Sequence, residues 1–164
     1  MNPDKFIELK TKQSFLDDAI FKKHNLVGKN LIKEKVAALE VELSEFANEV
    51  RFFKYWSLKG MNREKALIEF VDGLHFFLSL ANDLGVTRTF GSEVDEHESD
   101  WLDAYFRCKR WVYTLYYCPD ELTWHVAFSW FWAMGEKAGF TEEEIYQAYL
   151  SKNKINYERQ EIGY

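Results

Sequence analysis

Apolar positions recur at spacings of three and four through most of the chain, and interruptions of that rhythm divide it into about six segments. The first runs from Asp4 to Lys22, with Pro3 at its start and Phe6, Leu9, Leu16 and Ile20 among its apolar positions. After Gly28 the pattern predicts a long helix over Lys29 to Ser57. After Gly60 it predicts a third, capped by Asn62, running to Asp83 and stopped by Gly85. Residues 86–94 lose the period, and Glu93, Asp95, Glu96, Glu98 and Asp100 follow as an acidic cluster, which reads as a solvated loop entering a fourth helix from Asp100 to Tyr117. Pro119 and Asp120 open a fifth helix that Gly139 ends. Thr141 and Glu144 have capping-box spacing and open a sixth over Glu142 to Ser151, ahead of a polar tail. The alternation that marks strands is nearly absent. The expected fold is all-α: one helical bundle over residues 1–164.

Composition supports that expectation. Of 164 residues 47% are apolar and 18% aromatic, with two prolines and eight glycines, which is enough for one core and unlike a disordered chain or a turn-rich β-sandwich. Trp124, Trp130, Phe131 and Trp132 make the fifth segment apolar on more than one side, so neighbouring helices or a partner subunit must enclose it. The net charge of −6 argues against a surface built to grip polymeric nucleic acid. Cys108 and Cys118 have neither disulfide-framework nor zinc-cage spacing and read as structural thiols. The polar start Met1-Asn2-Pro3-Asp4-Lys5 does not resemble a signal peptide. The densest apolar run, Val126 to Met134, is about half a membrane span, so a cytoplasmic protein without a membrane partner is expected.

Candidate chemistry begins with acids on two helices. At about 100° per residue, Glu42, Glu45 and Glu49 fall within an arc of about 60°. The apolar stripe of Leu39, Leu43, Phe46, Val50 and Phe53 lies beside them, while Glu40 and Arg51 point to the opposite, solvent side. Like charges bordering a buried stripe repel with little screening, so something positive belongs among them. On the third helix Glu69, Asp72, Phe76 and Ser79 project away from a core stripe of Leu67, Phe70, Leu74, Phe77, Leu78 and Ala81. The two acidic sides are expected to face each other across a cleft and to suit a hard cation such as Mg²⁺ or Mn²⁺. Two ordinary acidic helix faces remain the alternative at this point. A di-iron bundle would use a Glu-x-x-His unit on each of two helices, and the nearest approach here is Asp72-x-x-His75. Gly-rich phosphate loops, G-x-S-x-G and H-E-x-x-H are also missing.

The tail changes the electrostatic picture. Positions 1–150 carry 18 bases and 25 acids, but 151–164 carry three bases and two acids. Lys152, Asn153, Asn156, Arg159 and Gln160 form a dense set of donors, and Arg offers a planar fork to phosphate oxygens. An acidic cleft for metal beside a donor-rich segment is what a metal–polyphosphate ligand needs. A solvated terminus is the simpler reading of the same residues.

Taken in order, these blocks resemble the dimeric all-α dUTP diphosphatases, a branch of the all-α nucleoside triphosphate pyrophosphatases, in their shorter bacterial or phage form. The resemblance rests on Gln13 in Gln-x-x-Leu-Asp, Glu42-Leu43-Ser44-Glu45-Phe46-Ala47-Asn48-Glu49 leading to Trp56, Glu69-Phe70-Val71-Asp72-Gly73-Leu74-His75-Phe76, and Lys152-Asn153 through Asn156 to Arg159-Gln160. It implies a homodimer that hydrolyses dUTP, and dUDP, to dUMP with Mg²⁺, for which Mn²⁺ substitutes. By the same resemblance Glu42, Glu45, Glu69 and Asp72 ligate metal. Glu45 orients or deprotonates the attacking water, and Glu49 is a second catalytic carboxylate or further ligand. Gln13, Trp56, His75 and Phe76 would form the base and sugar pocket. Lys152, Asn153, Asn156 and Arg159, with Lys59 and Tyr164, would hold phosphates, making residues 152–164 a phosphate-binding segment. The loop at residues 87–98 matches none of these blocks. Another noncanonical nucleotide on the same scaffold, or a non-catalytic homodimer that binds a partner protein, are the competing expectations.

Overall fold

The computed structural model describes residues 1–89 and 100–162, and within them the chain forms six α-helices: α1 (Pro3–Lys23), α2 (Ile32–Val50), α3 (Arg63–Asp83), α4 (Trp101–Tyr117), α5 (Glu121–Lys137) and α6 (Glu142–Ile162). The expected acidic cluster at Glu93, Asp95, Glu96 and Glu98, most of the 87–98 loop, and Tyr164 lie outside the described residues. Local chemistry starts each helix where the sequence signals it. Asn62 Oδ1 accepts from the Lys65 N–H and Asp120 Oδ1 from the Thr123 N–H, so each side chain satisfies a donor that the first turn leaves unpaired. The Thr141–Glu144 box closes reciprocally, with Glu144 N–H donating to Thr141 Oγ1 at 3.2 Å and Thr141 N–H to Glu144 Oε2 at 2.8 Å. Gly85 and Gly139 take positive φ just beyond α3 and α5.

Helix α3 organises the bundle. It packs on α1, α2, α5 and α6, while α4 lies against α2 and α5. Phe70 of α3 stacks on Phe131 of α5 with ring centroids 4.1 Å apart, and Trp124 Nε1 donates to the Phe77 carbonyl at 2.9 Å. The contact between α3 and α5 depends on a missing side chain: a Cβ on Gly135 would stand 2.5 Å from Phe70 Cζ. Trp124, Phe131 and Trp132 are buried among neighbouring helices, which accounts for the apolar breadth of α5 within one chain. No helix of the described residues is long and apolar enough to cross a membrane.

Two boundaries differ from the sequence expectation. Helix α2 ends at Val50, not Ser57, because Arg51 adopts a left-handed conformation (φ 71°) and its N–H caps the Ala47 carbonyl at 2.8 Å. Phe53 is therefore outside the helix and 38% exposed, while Phe52 turns inward to stack on Trp101. The two residues assigned to solvent are also engaged. Glu40 pairs with Lys109 of α4, and the Arg51 guanidinium donates to Ser57 Oγ at 3.3 Å. The second difference is α6, which continues through the polar tail to Ile162. Its apolar period fades after Tyr149 because the following turns cover polar groups of α1 and α3.

Candidate functional site

Helices α2 and α3 lie side by side and bring their acids together as the spacing requires. Carboxylate oxygens of Glu42, Glu69 and Asp72 all lie within 4.8 Å of one another. Proton affinities record the crowding. Burial and then the charges of Asp72, Glu45 and Glu69 raise Glu42 to about 7, so at neutral pH this group is close to half protonated. Glu69 is also raised, first by burial and then by Glu45, with which it shares a hydrogen bond. Asp72 is raised by burial, against the opposing pull of Lys152 and Arg159. The positive group demanded by this patch comes from α6: Lys152 Nζ donates to Asp72 Oδ2 at 2.6 Å. Three converging carboxylate oxygens whose proton affinities are all raised by burial and mutual repulsion fit a hard divalent ion.

The acids open onto a slot of about 430 Å³ between α1, α2, α3 and α6. Lys152, Asn156 and Arg159 of α6 line it beside Glu42 and Asp72. Gln13 and His75 add polar groups, and Leu16, Ile20, Phe21 and Phe76 add apolar wall. The slot thus combines clustered carboxylates, cationic and amide donors and an apolar surface.

A buried polar network supports one wall. Gln13 Oε1 lies 2.7 Å from His75 Nδ1 and accepts from the Tyr149 hydroxyl at 2.8 Å, and Gln13 Nε2 donates to Asp17 Oδ1 at 2.8 Å. Ser79 Oγ donates to Asp17 Oδ2 at 2.5 Å. Lys35 Nζ lies 3.8 Å from that same oxygen and 2.6 Å from Asp83 Oδ2. His75 stacks on Tyr149 with centroids 4.2 Å apart. Burial, reinforced by Lys152, lowers its pKa to about 3, so the imidazole is neutral. Its Nε2 is buried without a hydrogen-bond partner.

Of the residues singled out from sequence, Gln13, Glu42, Asp72, His75, Phe76, Lys152, Asn156 and Arg159 meet at this slot, and Glu69 completes the acid group. Glu45 reaches the group from a more exposed position through Glu69. Glu49 stands outside the three-carboxylate group, with Asn48 Nδ2 at 3.4 Å from its Oε1. Asn153 is buried beside Tyr149 and does not line the slot. Trp56, 64% exposed, and Lys59 sit on the connection between α2 and α3, also outside the slot lining. Asp17, Lys35, Ser79 and Tyr149 were not assigned a role in advance. Helical spacing contained the signal for three of them: Asp17 follows Gln13 by four residues, Lys35 precedes Glu42 by seven, and Ser79 follows Asp72 by seven.

Comparison with known proteins agrees with the resemblance carried by the motifs. A family model described as dUTPase matches residues 5–164. No curated protein matches the chain significantly.

Proposed function

This chain belongs to the dUTPase family and is a nucleotide diphosphatase, and from that premise we propose that it hydrolyses dUTP, and also dUDP, to dUMP with Mg²⁺ in the cytoplasm, limiting uracil incorporation into DNA. The observation that supports this reading is the convergence of Glu42, Glu69 and Asp72 with Lys152, Asn156 and Arg159 on a single slot that also offers Phe76 and His75. Acid ligands alone would suit any cation. Phosphate donors at the same place select a cation–polyphosphate ligand, and the apolar wall selects one that carries a ring.

Glu42, Glu69 and Asp72, with Glu45 alongside, would hold Mg²⁺, which when bound neutralises phosphate oxygens and lowers the pKa of a coordinated water. Glu45 is the group we assign to orient the water and take its proton: it is the most exposed of the four acids, and Lys152 pairs with Asp72. The water oxygen bonds to phosphorus as the P–O bond of the α–β phosphoanhydride breaks, giving dUMP with pyrophosphate from dUTP and dUMP with phosphate from dUDP. Lys152, Asn156 and Arg159 orient the phosphate chain. Lys152 must exchange Asp72 for phosphate to do so, a change that a cation among the carboxylates favours. Phe76 walls the base. A wall at van der Waals contact leaves no room for the 5-methyl of thymine, and an unmatched hydrogen-bonding edge rejects cytosine.

The functional unit we propose is a homodimer. Tyr55, Trp56 and Leu58 are 94%, 64% and 107% exposed on the connection between α2 and α3, and a second copy would cover them. Trp56, Lys59 and Glu49 would then complete the partner's slot rather than their own. Purified protein incubated with dUTP, dUDP, dTTP and dCTP over a range of Mg²⁺ concentrations tests the activity. Formation of dUMP that needs Mg²⁺ is expected; preferential cleavage of another nucleotide assigns the scaffold to that substrate, and no cleavage of any overturns the reading. Sedimentation of the parent and of Trp56→Ala tests the dimer, with a dimeric parent and a weakened variant expected.

A further inference from the structure

The network behind the slot has two alternative hydrogen-bond arrangements, the second of which needs a proton on Asp17, and they differ in what the buried Nε2 of the slot-lining His75 offers a ligand. In one, the Gln13 amide nitrogen faces Asp17 and its oxygen faces His75 and Tyr149. The oxygen then accepts from the Tyr149 hydroxyl and from His75 Nδ1–H, so His75 Nε2 carries a lone pair. In the other, the amide is turned over: its oxygen faces Asp17, its nitrogen donates to His75 Nδ1, and Nε2 carries the proton. The slot offers an acceptor in the first state and a donor in the second.

Asp17 decides between them. An ionised carboxylate only accepts, so it requires the amide N–H and repels the amide oxygen. Burial raises the proton affinity of Asp17, and two neighbours oppose that shift in favour of the carboxylate: the Ser79 hydroxyl at 2.5 Å from Oδ2 and the Lys35 ammonium at 3.8 Å from the same oxygen. Lys35 is itself held by Asp83 at 2.6 Å, with a side chain only 9% exposed. The order of charges from Lys35 through Asp17 to Gln13 therefore leaves a bare Nε2 on His75, buried and without a partner. An unpaired acceptor in that position is a binding site for a hydrogen-bond donor.

We propose that Asp17 is a positioning residue: through the Gln13 amide it fixes the His75 Nδ1–H tautomer, so that Nε2 accepts a hydrogen bond from an O–H or N–H donor of the substrate. The proposal rests on the nucleotide reading only for the identity of that donor, either the 3′-hydroxyl of the sugar or the imide N–H of the base. The tautomer itself is a property of the chain without substrate.

Long-range ¹H–¹⁵N correlation spectra of protein labelled at histidine distinguish protonated from bare ring nitrogens. In the parent protein without nucleotide, His75 should show a proton on Nδ1 and none on Nε2. Asp17→Ala should produce a mixture of the two tautomers. Asp17→Asn offers an amide that donates as well as accepts; with its oxygen drawn to Lys35 and Ser79 its nitrogen faces Gln13, so the Gln13 amide should turn over and the proton should move to His75 Nε2. A parent with the proton on Nε2, or an Asp17→Ala variant with the parent tautomer, overturns the proposal. Should Asp17→Ala fail to fold, retention of the parent tautomer in folded Asp17→Asn overturns it equally.

The donor is identified by equilibrium binding of 3′-deoxy and N3-methyl analogues of dUMP. One of them should bind the parent about tenfold more weakly than dUMP, the scale of one lost hydrogen bond to a buried acceptor, and that penalty should shrink severalfold in Asp17→Ala. Equal binding of both analogues and dUMP to the parent overturns the acceptor role. A chain that shows the expected tautomers yet cleaves no deoxyuridine nucleotide would refute the proposed activity and leave the role of Asp17 standing.

Discussion

Neutralising Glu42, a proposed metal ligand, should stabilise this protein when no metal is present. Glu42 shares a space with Glu69 and Asp72 in which one oxygen of each lies within 4.8 Å of the others. Two unit charges at that distance repel by about 3.5 kcal/mol at an effective dielectric constant of about 20. Partial exposure of Glu42 and the ammonium of Lys152 on Asp72 offset most of this, leaving a gain on the order of 1–2 kcal/mol for Glu42→Gln. That corresponds to a rise of about 2–8 °C in melting temperature for a chain of this length. The sign depends on pH. Because the folded-state pKa of Glu42 is raised from 4.5 to about 7, the parent protein is most stable below 4.5 with respect to this group, and loses that contribution as pH rises through about 7. Glutamine does not titrate, so parent and variant should melt alike near pH 5 and separate by pH 8. Calorimetry in EDTA at both pH values measures the effect. Saturating Mn²⁺ should reverse the order, since a ligand at about a hundred times its Kd adds about 2.7 kcal/mol to the protein that binds it. A Glu42→Gln variant less stable than the parent in EDTA at pH 8, or a difference indifferent to pH, refutes the reasoning.

Three other substitutions probe separate parts of the argument. Asp72→Asn should abolish saturable Mg²⁺ dependence while changing the melting temperature by only a few degrees, because Asp72 stands outside the core stripe of α3; titration with Mg²⁺ followed by thermal melts compares the two losses. Lys152→Met should raise Mn²⁺ affinity in the absence of nucleotide, since the ammonium no longer competes for Asp72, and yet raise KM for the nucleotide about tenfold, the value of one charge-assisted hydrogen bond; calorimetric Mn²⁺ binding and steady-state kinetics should thus move in opposite directions. Gly135→Ala drives a methyl to 2.5 Å from Phe70 Cζ, and urea unfolding should report a loss of about 1–3 kcal/mol with KM unchanged in the folded fraction.

The parts of the fold that were legible in sequence are those fixed by local chemistry. Asn62, Asp120, Thr141 with Glu144, Gly85 and Gly139 each act within one helical turn, and each stands where its helix begins or ends. The carboxylates were legible for a related reason: Glu42, Glu45, Glu69 and Asp72 follow helical spacing, and α2 and α3 are consecutive, so a short connection leaves them adjacent. The two misplaced helix ends have tertiary causes. Neither glycine nor proline marks Arg51; the chain turns there as Phe52 stacks on Trp101 of α4, a residue far along the chain. Helix α6 extends past Ser151 because Lys152 meets Asp72, Asn153 packs at Tyr149 and Gln160 bonds His24. Periodicity fails as a signal when the surface to be covered is polar.

The same cause hid Asp17 and Lys35. A buried lysine reads in sequence as a solvated one, since the partners that make burial tolerable, Asp83 of α3 and Asp17 of α1, come from other helices. Yet the arrangement has a consistent electrostatic logic. Net charge is −6, but two acids in this slot are matched with a cation from another element, Lys152 of α6 for Asp72 and Lys35 of α2 for Asp17, while Glu42 and Glu69 are crowded by neighbouring carboxylates. The matched pairs hold helices together and set hydrogen-bond polarity. Glu42 and Glu69, together with Asp72 once Lys152 turns to phosphate, are the acids whose charge a divalent ion would complete. An acidic composition that argues against binding a nucleic acid polymer is thereby compatible with binding its monomer.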